Sequence, residues 1–266
     1  MWFWLLSTLC FAEEPDFQET VKDWKEEQQE PEADLSAEFG GSLTVGNTEF
    51  FTVSGALRGG YRWRVNRLSG IAAGLWGRGR VDGNGNGTIE TDERQVPMAE
   101  TARRVAVDTR YDRFFGDRNS LYALVGTLVD PFSGYDLRSH EQIGYSRHLA
   151  KTDHTDLIAE IGVDFAQENY VEGVEPGLQN VLAGRAMFGL QHNFSEHAGF
   201  SNTVEVFENL LTPVDLRVNN IAALSTRLNG TLSLKLSHEL RFDNQPVEGF
   251  RPLDQTGLIT VTATLL

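Results

Sequence analysis

Residues 35–45 read LSAEFGGSLTV and alternate without a break. Leu35, Ala37, Phe39, Gly41, Leu43 and Val45 hold the odd positions, and Ser36, Glu38, Gly40, Ser42 and Thr44 the even ones. Successive side chains of a β-strand point to opposite faces, so this is a strand with one apolar and one polar side. The two-residue period returns almost to the last residue. A long antiparallel sheet with one apolar face either closes around a dry core or stands inside out in a lipid bilayer.

Composition leaves both options open. Hydrophobic residues make up 40% and charged residues 23% of 266, and the mean hydropathy is −0.31, so no run is apolar enough for a membrane-spanning helix. Membrane-crossing strands need only about 9–11 residues, with alternate ones apolar. The net charge of −15 and the pI of about 4.8 argue against nucleic acid and against a polybasic lipid-binding patch. Residues 1–12, MWFWLLSTLCFA, read as a signal peptide that ends on a small residue before Glu13. The single cysteine, Cys10, lies inside it, so the exported chain needs no disulfide framework. Residues 13–34 hold ten acids against two lysines and read as an acidic linker, or as a short amphipathic helix through Phe17, Val21 and Trp24.

From residue 35 to 266 the pattern is β throughout, with about twelve strands. In residues 155–168, for example, Leu157, Ala159, Ile161, Val163 and Phe165 oppose Asp156, Glu160, Asp164 and Glu168. Farther upstream, Ile71, Ala73, Leu75 and Val81 read as the apolar face, opposite Arg78 and Arg80. The connections sort by parity. Long ones are expected at 82–97, 171–177 and 244–254, and short ones at 67–69, 116–119, 151–153, 195–197 and 229–230. Short turns on one side and longer loops on the other is the asymmetry of a transmembrane antiparallel up-and-down β-barrel, and an even strand count agrees with it. The polar face is rich in arginine and carboxylate, which suits a narrow lumen where opposite charges pair. The residues expected to line it are Arg58, Arg62, Arg64, Arg78, Arg80, Arg104, Asp108, Arg110, Asp112, Arg138, Glu160 and Asp164. A soluble calycin-like barrel is the alternative fold.

Several stretches resemble a bacterial family of salt-induced outer-membrane proteins that carries a domain of unknown function. They are SAEFGGSLTVGNTE, YDRFFGDRNSLYALVGTLVDPFSGYDLRSHEQIGYSRHL and LIAEIGVDFAQENY. The cues are Gly46-Asn47 at a strand end, the run from Tyr111 to Phe115, the turn from Asp130 to Phe132, and Gly144-Tyr145. The resemblance covers residue 35 to the C-terminus and implies an outer-membrane barrel, with no catalytic motif and no established activity.

One motif is sharp. Residues 82–93 read DGNGNGTIETDE and fit the twelve-residue calcium-loop template at every specified position. Asp82, Asn84 and Asn86 would supply oxygens, Gly87 the tight turn, Thr88 its carbonyl, Glu90 a water-mediated contact and Glu93 a bidentate carboxylate. Two asparagines lower the site charge, so the expected affinity is weak, on the order of 10⁻⁴–10⁻³ M. By parity this loop is extracellular. Catalytic groupings are poor: His192 with Ser201 and Asn202 matches no spacing, and His140 and His148 read as polar lumen residues. No catalytic residue is expected, and the chain does not read as an enzyme. The sequence thus points to a bacterial outer-membrane barrel acting as a narrow pore for small solutes or ions, with calcium at an outer loop. A non-conducting barrel for envelope stability or surface binding is the alternative, and an outer-membrane enzyme ranks third. Expected partners are membrane lipid, lipopolysaccharide and the barrel-assembly machinery.

Overall fold

The computed structural model describes residues 31–44, 49–80, 90, 92–174 and 177–266. They form twelve strands: β1 (Glu32–Thr44), β2 (Phe50–Trp63), β3 (Asn66–Gly79), β4 (Ala99–Phe114), β5 (Asn119–Asp130), β6 (Tyr135–Lys151), β7 (Thr155–Tyr170), β8 (Leu178–Asn193), β9 (Ala198–Asn209), β10 (Leu216–Arg227), β11 (Leu232–Asp243) and β12 (Leu253–Thr264). Each strand pairs antiparallel with its neighbours in sequence. β12 returns to β1, with Ser36 opposite Thr264 and Gly40 opposite Thr260, so the sheet is a closed barrel with no edge strand. Closure pairs each strand on both sides, over five residues at the β1–β12 seam, as a lipid surround requires of strands that cross it.

The two ends differ as the loop parity indicated. Residues 64–65, 115–118, 152–154, 194–197 and 228–231 make short turns at one end. Both barrel termini lie there too, since Glu32 opens β1 opposite Arg62. The strand ends joined by the longer connections, 80–98, 171–177 and 244–252, lie at the other end, where a 3-10 turn at Pro131–Ser133 closes β5 to β6.

Two boundaries differ from the sequence reading. β1 starts at Glu32 rather than after Asp34, because Asp34 turns inward and meets Arg67 at 2.9 Å. The first short turn is at Arg64–Val65, not 67–69. Arg64 itself takes a left-handed φ of 51°, although neither position carries the Gly or Asn that usually marks such a hairpin. The expected signal segment, and the linker up to residue 30, lie outside the described residues.

Polarity is inverted relative to a water-soluble protein. On β7, Ile161 is 64% exposed while its neighbour Glu160 is 2% exposed. Phe39, Leu57, Val125, Ile143 and Ile259 point outward, and the most deeply buried large side chains are Arg104, Glu160, Glu168, Asp130 and Asp164. Aromatic rings mark the rims of the apolar band. At the short-turn end Tyr61 stacks on Trp63 at 5.7 Å, Trp63 meets Tyr111, and Phe115 meets Tyr145. Toward the loop end Phe51 meets Trp76 edge-on at 5.5 Å. From Phe51 to Tyr61 the strand climbs about 25 Å along a tilted barrel, the height of a lipid-facing band.

The interior is not uniformly charged. Ala56, Ile71 and Ala73 form one small buried cluster, and Leu75 with Ala102 forms another, against Leu258. This corrects the face assigned to β3: Ile71, Ala73 and Leu75 point inward, and Ala72, Trp76 and Arg78 point outward.

Candidate functional site

The candidate site is the lumen, built from alternate positions of the strands. Its waist is a charged layer from four strands. Arg110 on β4 holds Asp112 at 2.8 Å and reaches Glu160 on β7 at 2.7 Å. Arg185 on β8 takes the other oxygen of Glu160 at 2.7 Å, and its Nε donates to Glu205 on β9 at 2.7 Å. Tyr122 on β5 sits in the middle: its hydroxyl accepts from Arg185 at 2.7 Å, and the Arg110 guanidinium lies 4.2 Å from its ring centre. The side chains of Arg185 and Glu160 are each 1% exposed, so this layer is shielded from solvent along that wall of the lumen. Guanidinium and carboxylate buried together keep their charge only because each hydrogen-bonding group finds a partner.

Toward the loop end a second layer begins with His140 on β6. Its Nε2 lies 3.1 Å from Asp108 and its Nδ1 3.4 Å from Asp164. Gly126 makes room for it, since a Cβ there would run into both His140 and Asp108. Above it Arg138 faces Asp164 at 3.7 Å and Glu168 at 3.2 Å. Arg217 on β10 bonds Glu168 and faces Asp243 at 3.2 Å and Asp215 at 3.5 Å. Arg241 on β11 crosses to Ser133, whose hydroxyl accepts at 3.3 Å, and pairs with Asp254 at 3.5 Å and Asp130 at 3.8 Å.

The connection 244–252 reaches over this end. β11–β12 and β5–β6 stand on opposite sides of the ring. Even so, Val247 and Phe250 pack against Gly134, at 2.9 and 3.1 Å from where a Cβ would stand. Gly134 has φ 92°, a conformation that an L side chain would strain. Beneath this strap lies a chamber of about 800 Å³, lined by Tyr135, Arg138, Arg217, Arg241, Asp243, Phe250 and Asp254 among others. A second chamber of about 540 Å³ opens at the short-turn end, among Asp153, His154, Glu196, His197 and Arg227.

Of the residues expected to line the lumen, Arg58, Arg62, Arg104, Asp108, Arg110, Asp112, Arg138, Glu160 and Asp164 all lie on inward-facing positions. Three do not belong there. Arg64 sits in the exposed hairpin turn. Arg78 is outward, its guanidinium 5.6 Å from the Trp76 ring centre. Arg80 lies just past β3 at the loop-end rim, bonded to Glu49 at 2.6 Å and to the Val96 carbonyl. Sequence reasoning missed Tyr122, Arg185, Glu205 and Arg217. β8 explains one omission, for Arg185 is a lone charge among Val181, Ala183 and Met187 on its own inward face.

Of the calcium-template residues, Asp82, Asn84, Asn86 and Thr88 lie outside the described residues. Glu90 and Glu93 are described: the Glu93 carboxylate accepts from the Glu90 backbone N–H at 3.0 Å at the start of a 3-10 turn, Glu93–Gln95. Among the described residues no group of three or more acidic, histidine or cysteine side chains is arranged to hold a metal.

Residues 37–265 match the model of a family described as "Protein of unknown function, DUF481". The chain belongs to this family. No curated protein matches it. Among solved structures it is similar to the NanC porin, with 11% identity over 87% of this chain and all of that one, and a TM-score of 0.52. It is also similar to the COG4313 outer-membrane channel from Pseudomonas putida F1, with 10% identity over 92% of this chain and all of that one, and a TM-score of 0.51. At such identities the likeness is one of fold: this DUF481 member is a twelve-stranded barrel of the outer-membrane kind.

Proposed function

We propose that this DUF481 protein is an outer-membrane channel for small solutes or ions, held closed at its waist in the state described. The observation that supports it is a chamber with charged side chains on its lining at each end of the barrel, with a layer of side-chain ion pairs between the two. Side chains can rearrange without unfolding a strand, so a closed waist of this kind can open. Purified barrel in planar bilayers should show discrete conductance steps that grow when Arg185 and Glu160 are both replaced by alanine. Silence in the native protein and the variant alike would leave the non-conducting envelope barrel as the reading. The complete burial of Glu160 and Arg185 favours that second reading. It predicts a thermal shift on adding lipopolysaccharide and calcium.

The outer membrane is the proposed location, checked by fractionation and by faster gel migration before heating than after. Lipid, lipopolysaccharide and the assembly machinery are the partners this location brings. Calcium is proposed at residues 82–93 on the strength of the template. Terbium luminescence should rise at millimolar metal and vanish in Asp82→Ala/Glu93→Ala.

A further inference from the structure

We infer that the loop-end part of the β1–β12 seam is a lateral opening from the lumen into the surrounding lipid. Its cargo is a small uncharged amphiphile, an apolar body with one hydroxyl. This goes beyond the channel reading, because such a route bypasses the ion-pair waist. It starts from the shortest ladder of the barrel. β1 and β12 are paired from Ser36 opposite Thr264 to Gly40 opposite Thr260, five residues, whereas β4 and β5, the next shortest ladder, share ten. Loopward of Gly40, among the described residues, Gly41–Thr44 is paired with β2 alone and Gly257–Ile259 with β11 alone. At the rise of a strand this leaves about 13 Å of seam unzipped. Leu43 and Ile259, 73% and 59% exposed, flank it on the outer face. Leu43 lies opposite Phe51 at the loop-end rim, so the gap opens within the apolar band. Strand edges without a neighbour are tolerated at that depth only where protein or a water-filled cavity meets them. The loop-end chamber borders this stretch, with Leu253 and Asp254 of β12 on its lining.

Polarity behind the gap selects the cargo. Leu258, at an inward position of β12, packs against Leu75 and Ala102 of β3 and β4, and Ala56 with Ala73 follows on β2 and β3. Two hydroxyls interrupt this apolar surface. Ser54 and Thr260 are each 6% exposed, and neither side-chain oxygen has a hydrogen-bond partner. Both stand beside Gly40, where the ladder ends: a Cβ there would lie 3.0 Å from the Ser54 Oγ and 2.5 Å from the Thr260 Cγ2. A buried hydroxyl without a partner is costly, and a ligand hydroxyl can donate to one and accept from the other. None of these residues is ionisable. Glu38, the next inward position on β1, already holds Arg58 at 3.4 Å and Lys235 at 3.6 Å, so a charged head group gains no counter-ion there.

The test uses the full-length barrel reconstituted in lipid vesicles. Calorimetric titration with 1-naphthol, with empty vesicles subtracted, should show saturable binding. Ser54→Ala/Thr260→Val should weaken it several-fold and leave heat-modifiable migration unchanged, because only hydroxyls without partners are removed. Naphthalene-1-sulfonate, the charged counterpart, should not bind. Unchanged naphthol affinity in the variant, or equal affinity for the sulfonate, would overturn the cargo. The opening has its own readout. A diazirine-bearing dodecanol, mixed into the lipid before reconstitution, should photolabel inward Leu75 and Leu258 as well as outward Leu43 and Ile259. Labels confined to outward positions would close the opening as an idea. Conductance in planar bilayers separates this route from the channel. Naphthol binding and inward labels in a barrel that never conducts would keep the opening and sink the channel. Conductance without them would do the reverse, and absence of all three would overturn both.

Discussion

Tyr122 lies against the barrel wall where β6 and β7 carry Gly144 and Gly162. A Cβ at either glycine would stand 2.5 and 2.6 Å from its hydroxyl. Those two glycines are what let a ring from β5 reach Arg185 on β8 and complete the waist. The waist illustrates a general asymmetry of buried ion pairs. Removing one partner strands a charge and costs about 3–5 kcal/mol, whereas removing both can be nearly neutral. Glu160→Gln should thus destabilise the barrel by about 3 kcal/mol, and Arg185→Met by a similar amount. The double variant should lose clearly less than the sum, with a coupling of about 1–3 kcal/mol. Urea midpoints for folding into lipid vesicles check this. Strict additivity would mean that the two side chains do not depend on one another.

At the level of strands and loops, legibility follows from how each face is filled. β7 could be read directly, because its inward face carries Asp156, Glu160, Asp164 and Glu168 and its outward face is apolar from Leu157 to Phe165. β3 could not. Its inward face carries Ile71, Ala73 and Leu75 for two small apolar clusters inside the barrel, so hydrophobicity and direction disagree there. The Arg64–Val65 turn was hidden for a different reason: only the backbone of Arg64, not its residue type, marks it. The strap at 244–252 was legible as a loop, but its inward fold depends on Val247 and Phe250 meeting Gly134 across the ring, a contact that no local pattern encodes. This element carries its own prediction. Val247→Ser/Phe250→Ser removes the apolar anchor at Gly134, and the strap should then swing free. Single-channel conductance should rise, and protease should cut within 244–252 while the strands stay intact. An unchanged cleavage pattern would show that the strap is held by other contacts.

For the molecule as a whole, the decisive property is which solvent meets the outer face. An exposed Leu57 lies between Phe51 and Tyr61, whose rings stand near opposite rims of the band, whereas Leu43 is paired with Phe51 near the loop-end rim. If the band meets hydrocarbon, Leu57→Arg buries a charge near the midplane and should cost about 2–4 kcal/mol, while Leu43→Arg should cost about 0–1. In water the same two substitutions would fall on an exposed face and change stability by no more than about 0.5 kcal/mol, with no dependence on height. The comparison uses one face of two adjacent strands, so strand pairing and lumen chemistry stay constant while depth varies. Reversible urea unfolding from lipid vesicles measures both values. A depth-dependent penalty is the expected result. Equal, near-zero effects would remove lipid from the outer face, and with it the reason for burying so many charges inside.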